Sequence, residues 1–260
     1  MNQIDFSTIT ESPVNKVIPM QVERAFHRYA FALPYILGKD VLEVACGVGQ
    51  GLGMLSQKAK SVTAIDIEKK NLDVAKKTYS ERNNIKILEM DAMKMSFSDQ
   101  SFDTILIYEA IYYLGDLSIF LNNCKRMLRS GGTLIICTAN KNWHSFNPSP
   151  FSKQYYNPIE LRKFAQKHGF FPTFFGAFPD KLNSVFHLAK FIIKLGAIRF
   201  NLMPKTMKRK VLLKNLFFGP LVPYPAELRI GEFLYHPPEE ISAYHTNRYY
   251  TAIYAVFSLL

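Results

Sequence analysis

The chain has 260 residues, 48% of them hydrophobic, enough to bury a full core as one domain plus an insertion. Its three cysteines, Cys46, Cys124 and Cys137, show no paired spacing, which excludes a disulfide framework and a zinc site and points to a reducing, cytoplasmic compartment. The formal net charge is +11, and no window holds eighteen uninterrupted apolar residues, so neither a membrane span nor, given the first residues, a cleaved signal is expected.

Residues 1–20 are polar and Pro-punctuated and are expected to form a flexible arm. Residues 21–37 space their apolar groups for a helix, with Pro34 placed to kink or divide it. Then follows the stretch from Val41 to Gly53, a short apolar run carrying Glu43 and, after it, Gly47, Gly49, Gly51 and Gly53 at every second position. The apolar residues make a buried strand, and the glycines let the backbone turn sharply and approach a ligand with no Cβ in the way. A helix can begin at about Gly51, so its free N–H groups would also face that ligand. The pattern reads as a nucleotide-like cofactor site at the first strand of an α/β sheet. It is not the dinucleotide fingerprint, whose third glycine would fall at Leu52.

Ser61–Ile67 is a second strand, with Asp66 placed 19 residues after Gly47, where a carboxylate accepts hydrogen bonds from both vicinal hydroxyls of a ribose. Asn84–Ala92 is a third strand ending in Asp91, and Ser101–Ala110 a fourth that exits through Tyr108 and Glu109. Leu128–Ile136 turns through Gly131-Gly132 into a fifth. This alternation between 40 and 140 implies a parallel sheet wound on both faces. Lys141–Pro158 is then a loop, 158–168 a helix stopped by Gly169, Phe170–Phe175 a strand and Tyr249–Leu260 a terminal strand. The division expected is a domain of 21–177 and 246–260, with 178–245 as an insertion or lid.

The ordered series of Glu43 with Gly47-x-Gly49-x-Gly51, Asp66, Asp91, Glu109 and Leu128-x-x-Gly131-Gly132 resembles the class I S-adenosylmethionine-dependent methyltransferases over roughly residues 24–140. The resemblance implies an α/β, Rossmann-like, doubly wound sheet of seven strands with an antiparallel last strand. It implies S-adenosyl-L-methionine as cofactor, with Ala45, Gly47, Gly49 and Gly51 shaping the loop and Glu43 orienting it. Asp66 and Ile67 would then hold the ribose, and Asp91 the adenine amine, with Ala92 or Met93 on the ring and Tyr108 close by. The helix before the first strand covers the methionine end in such proteins, so Arg28 pairs with the cofactor carboxylate beside Tyr29 on this reading, or is solvated with Tyr29 in the core.

The run from Phe146 to Ser152 and then Tyr155-Tyr156-Asn157-Pro158 looks like small-molecule and sugar methyltransferases of bacterial glycan or natural-product clusters. Enzymes that methylate base amines carry Asn or Asp-Pro-Pro-aromatic after the fourth strand; here that place reads Tyr108-Glu109-Ala110-Ile111, which disfavours nucleic acid.

Between Lys181 and Lys214 there are nine Lys or Arg and no Asp or Glu, interleaved with apolar residues in a basic amphipathic pattern. Three uses stay open: a helical lid recruiting a phosphorylated or lipid-linked acceptor, peripheral membrane contact, and a surface helix packing its apolar stripe on the domain.

A hydroxyl acceptor benefits from a general base, and the candidates are Glu109 after the fourth strand and His144 after the fifth. Glu109 reads equally as a carboxylate that starts the next helix, and His144 as a surface or packing residue. Tyr112, Tyr113, Tyr155 and Tyr156 either line an acceptor pocket, including a sugar face, or belong to the core. The reading adopted is methyl transfer to a small-molecule or glycan-type acceptor, at oxygen rather than nitrogen, without a metal. A nicotinamide oxidoreductase on the same sheet and an inactive cofactor-binding scaffold are the alternatives.

Overall fold

The computed structural model describes residues 10–180 and 220–259. In chain order these form β1 (Lys16–Val17), α1 (Pro19–Ile36), β2 (Asp40–Val44), α2 (Leu52–Ser56), β3 (Ser61–Asp66), α3 (Lys69–Thr78), β4 (Ile85–Glu89) and β5 (Phe102–Tyr108). A 3₁₀ turn at Ile111–Tyr113 leads to α4 (Leu117–Met127), β6 (Leu128–Ala139), α5 (Pro158–Lys167), β7 (Phe171–Pro179), β8 (Val222–Pro223), β9 (Glu239–Ile241) and β10 (Tyr250–Ser258).

The main sheet runs β4-β3-β2-β5-β6-β10-β7-β9. Strands β2 to β6 pair in parallel, and β10 inserts antiparallel between β6 and β7, from Ala252 opposite Ala139 to Ser258 opposite Thr133. Seven of these strands are the expected sheet with its antiparallel last strand. The eighth, β9, pairs antiparallel with β7 at the edge and comes from the segment expected to be an insertion.

Successive residues of a strand point to opposite faces, and β2 shows the consequence. Val41 faces a core formed with α1, α2 and Leu72 of α3, while Leu42 and Val44 face a second core formed with α4 and α5. Helix starts are locally encoded. Asp116 accepts from the Ser118 N–H at 2.7 Å to cap α4, and Asn157 and Glu160 cap α5 reciprocally. Pro34 neither divides nor ends α1 early; it falls in the last turn, and the helix runs on to Ile36.

Two expectations change. Residues 10–20 are not a loose arm: Lys16–Val17 pairs with Val222–Pro223, Tyr224 N–H donates to the Asn15 carbonyl, and Gln21 bonds Glu11. The segment 220–235 straps the glycine loop through Leu228 N–H to Gln50 O at 2.7 Å and through an Arg82–Glu227 ion pair at 2.6 Å. The basic stretch 181–214 lies outside the described residues. No helix among the described residues is long and apolar enough to cross a membrane.

Candidate functional site

The parallel strands β2, β3, β4, β5 and β6 all end at one edge, and a cavity of about 700 Å³ opens across their carboxyl ends. It extends sideways to β7 and β10, where Phe178 and Ala252 line it, and is covered by α1 and by Thr10 and Glu11.

Glu43, at the tip of β2, is 2% exposed. Its Oε1 accepts a 2.7 Å hydrogen bond from the Tyr29 hydroxyl, and its Oε2 is buried with no partner. Burial pushes its carboxyl up to about 8 despite that hydrogen bond, and the nearby Asp66 adds to the rise.

Past Glu43 the backbone enters the left-handed region at Ala45 (φ +57°) and Gly47 (φ +57°). That turn aims the Gly47 N–H at Asp66 Oδ2, 2.8 Å away, while Asp66 Oδ1 accepts from the Glu68 N–H at 2.8 Å. Asp66 is thus fixed at the tip of β3, where it lines the cavity. Burial pushes its pKa upward, and the backbone N–H groups of Glu68, Gly47 and Ile67 hold it back. Gly51 answers a different need: a Cβ there would stand 2.1 Å from the Tyr29 ring, so the glycine lets α1 pack on the loop.

Asp91, after β4, accepts the Met93 N–H at 2.8 Å, and Asp91, Ala92 and Met93 all line the cavity with Ile67. After β5, Glu109 adopts φ +50°. Its Oε1 lies 3.5 Å from Arg28 Nη2, and its Oε2 accepts from the Tyr112 hydroxyl at 3.1 Å. Burial works against the Arg28 charge, but Glu109, together with Cys137, Tyr254 and Tyr224, outweighs it and raises the guanidinium pKa. Among the described residues four non-glycines have positive φ, and Ala45, Glu109 and Phe178 among them line this cavity; such strain concentrates where the fold positions a group for use.

Of the residues singled out in the sequence, the cavity gathers Arg28, Tyr29, Glu43, Ala45, Gly47, Asp66, Ile67, Asp91, Ala92, Met93, Tyr108, Glu109, Tyr112, Tyr113 and Tyr155. It does not gather Gly49, Gly51, Tyr156 or His144. Gly49 (φ +74°) sits behind the loop, with its carbonyl accepting from the Tyr79 hydroxyl. Tyr156 is 5% exposed and packs edge-on against Phe164 in the α5 core. His144 turns its ring to Asp180, 3.4 Å from Nε2, and to the Arg248 carbonyl.

Residues that the sequence reading did not single out also line the cavity: Thr10, Glu11, Arg24, Trp143 and Phe178. Arg24 alone left a sequence signal, since it precedes Arg28 by four residues and so shares its helix face.

Residues 42–136 match the model of a family described as a methyltransferase domain. A ubiquinone biosynthesis O-methyltransferase of Bradyrhizobium is 26% identical over 143 residues, which is 52% of this chain and 56% of that protein. A probable S-adenosylmethionine-dependent methyltransferase of Mycolicibacterium smegmatis is 27% identical over 154 residues, 57% of this chain and 55% of its own. The chain therefore spans little more than half the length of these relatives. A methyltransferase structure from Thermotoga maritima shares the fold, with a TM-score of 0.55 at 15% identity over 93% of this chain and 96% of that one.

Proposed function

We propose that this chain, whose residues 42–136 match a methyltransferase domain, is a class I S-adenosylmethionine-dependent methyltransferase and that its cavity directs methyl transfer to a hydroxyl of a small-molecule or glycan-type acceptor. The observation that carries this reading is the continuity of one cavity from Glu43, Asp66 and Asp91 to Glu109.

The cofactor fits the groups present. The orphan Oε2 of buried Glu43 suits an ammonium, the Asp66 carboxylate suits a ribose diol, and Asp91 suits an exocyclic amine. When bound, S-adenosylmethionine supplies a methyl group already activated on a sulfonium for in-line displacement. Everything else falls to the chain. Arg28 and Tyr112 each hold one oxygen of Glu109, so this carboxylate is oriented with lone pairs left to take the acceptor's proton. Tyr112, Tyr155 and Phe146 pack on one another, with centroids 4.5 Å and 4.7 Å from Tyr155, and wall the acceptor side against water. Positioning supplies much of the acceleration in such a displacement.

The match over 42–136 is to a methyltransferase domain, which supports this reading over a nicotinamide oxidoreductase. Calorimetry with S-adenosylmethionine, S-adenosylhomocysteine and NAD tests it: tighter binding of NAD overturns it. Cofactor binding with no turnover against a panel of phenols and sugars supports an inactive scaffold instead.

A further inference from the structure

Arg24 and Arg28 lie one turn apart on α1, and both line the cavity. Their surroundings differ. Arg28 faces the Glu109 carboxylate at 3.5 Å. No carboxylate among the described residues stands within ion-pair distance of Arg24. The Arg24 Nε is buried without a hydrogen-bond partner, and its guanidinium lies 5.0 Å over the Phe178 ring. Burial, followed by the like charge of Arg28, pulls the Arg24 pKa below its ordinary value. The Glu109 and Asp180 carboxylates oppose that shift without pairing with Arg24; a partly buried cation that lacks a direct carboxylate partner is costly, and an incoming anion offsets that cost.

The position of Arg24 assigns it to one end of the cavity. Arg24 meets Phe178 of β7, on the side where Phe31 packs against Phe175 of β7 and Tyr254 of β10, whereas Tyr29, on another face of α1, reaches Glu43 on β2. In the sheet order, β3 and β4, which carry Asp66 and lead to Asp91, lie on the far side of β2 from β10 and β7. The donor-seeking carboxylates and the unpaired guanidinium therefore occupy opposite ends, with Glu109 between them. Phe178 is held at φ +56°, so the ring that supports Arg24 is itself fixed at some conformational cost.

We infer that Arg24 anchors an anionic group, a carboxylate or a phosphate, carried by the methyl acceptor, through the planar fork of donors that a guanidinium presents beside Phe178. This rests on the methyltransferase reading of the same cavity, and it narrows the acceptor to hydroxyl compounds bearing an acid at a distance from the reacting oxygen.

The test uses the full chain saturated with S-adenosylhomocysteine and titrated with benzoate, phenyl phosphate and the neutral benzamide. At least one anion binds about tenfold or more tighter than benzamide, and which of the two does so tells carboxylate from phosphate. Arg24→Gln erases that preference while leaving S-adenosylhomocysteine affinity unchanged, and Arg24→Lys, which keeps the charge without the fork, retains part of it; melting curves confirm that both fold. Three results overturn the inference: equal binding of anions and benzamide, a preference that survives Arg24→Gln, or an Arg24→Gln protein that loses S-adenosylhomocysteine but not benzoate. If the parent protein binds no S-adenosylhomocysteine, the methyltransferase reading falls, and the same anion-against-amide comparison on the ligand-free protein still decides the role of Arg24.

Discussion

The Tyr29 hydroxyl donates a 2.7 Å hydrogen bond to Glu43 Oε1, tying the helix that covers the cavity to the acid at the tip of the central strand. Glu43 is buried on both sides of that bond, and its second oxygen has no protein partner. The pair is stable only in the company of a proton or a cation.

A carboxyl raised from 4.5 to about 8 binds its proton more tightly in the folded chain than in the unfolded one. The stability this contributes is fully present below pH 4.5 and is lost as pH rises through about 8. Melting temperatures of the ligand-free protein are expected to fall across that window, and Glu43→Gln is expected to flatten the fall. A bound ammonium reverses the preference, so cofactor binding at neutral pH releases protons. Calorimetry in buffers of different ionisation enthalpy reads that release, which should vanish in Glu43→Gln.

Asp66 is held by backbone N–H groups and lines the cavity. Asp66→Ala should weaken cofactor affinity at least about tenfold, since charge-assisted hydrogen bonds contribute roughly 1.5–3 kcal/mol each. Unchanged affinity in a titration would remove Asp66 from the cofactor site.

Gly51 touches the Tyr29 ring so closely that a methyl group has no room. Gly51→Ala should displace Tyr29, break its bond to Glu43 and cost about 1–3 kcal/mol. Combined with Tyr29→Leu, the losses should be less than additive, because both substitutions remove the same contact. Additive melting data would mean that loop and helix are not coupled there.

Glu109→Gln should leave cofactor affinity nearly unchanged and lower turnover by about 10²–10⁴-fold, the usual range for a lost general base. His144→Ala should leave turnover intact, because that ring faces Asp180 and the Arg248 carbonyl. Loss of turnover in His144→Ala alone would exchange the two roles.

Much of this arrangement is legible along the chain. The strands ending in Glu43, Asp66, Asp91 and Tyr108 are short apolar runs with an acid or a turn at their ends, and βαβ alternation places all those ends at one edge of a sheet. Side chains one residue past a strand's end inherit their direction from the strand, which is why Ile67 after β3 and Glu109 after β5 reach the cavity.

Loop side chains inherit nothing of that kind. His144 and Trp143 follow the same strand side by side, yet Trp143 lines the cavity and His144 does not, although Asp180, 36 residues past His144 and 37 past Trp143, engages both of them. Tyr155 and Tyr156 part in the same way, one against Tyr112 and one against Phe164.

Local order of residues alone determined the sheet, the glycine turn and the acids at the strand tips, because periodicity and backbone sterics act over neighbours in the chain. Tertiary packing alone decided that Glu11, Arg24 and Phe178 share one cavity and that Arg24 forms no ion pair there among the described residues. Contacts between residues more than 150 positions apart depend on how helix α1 lies across β7 and β10, and no short-range pattern carries that information.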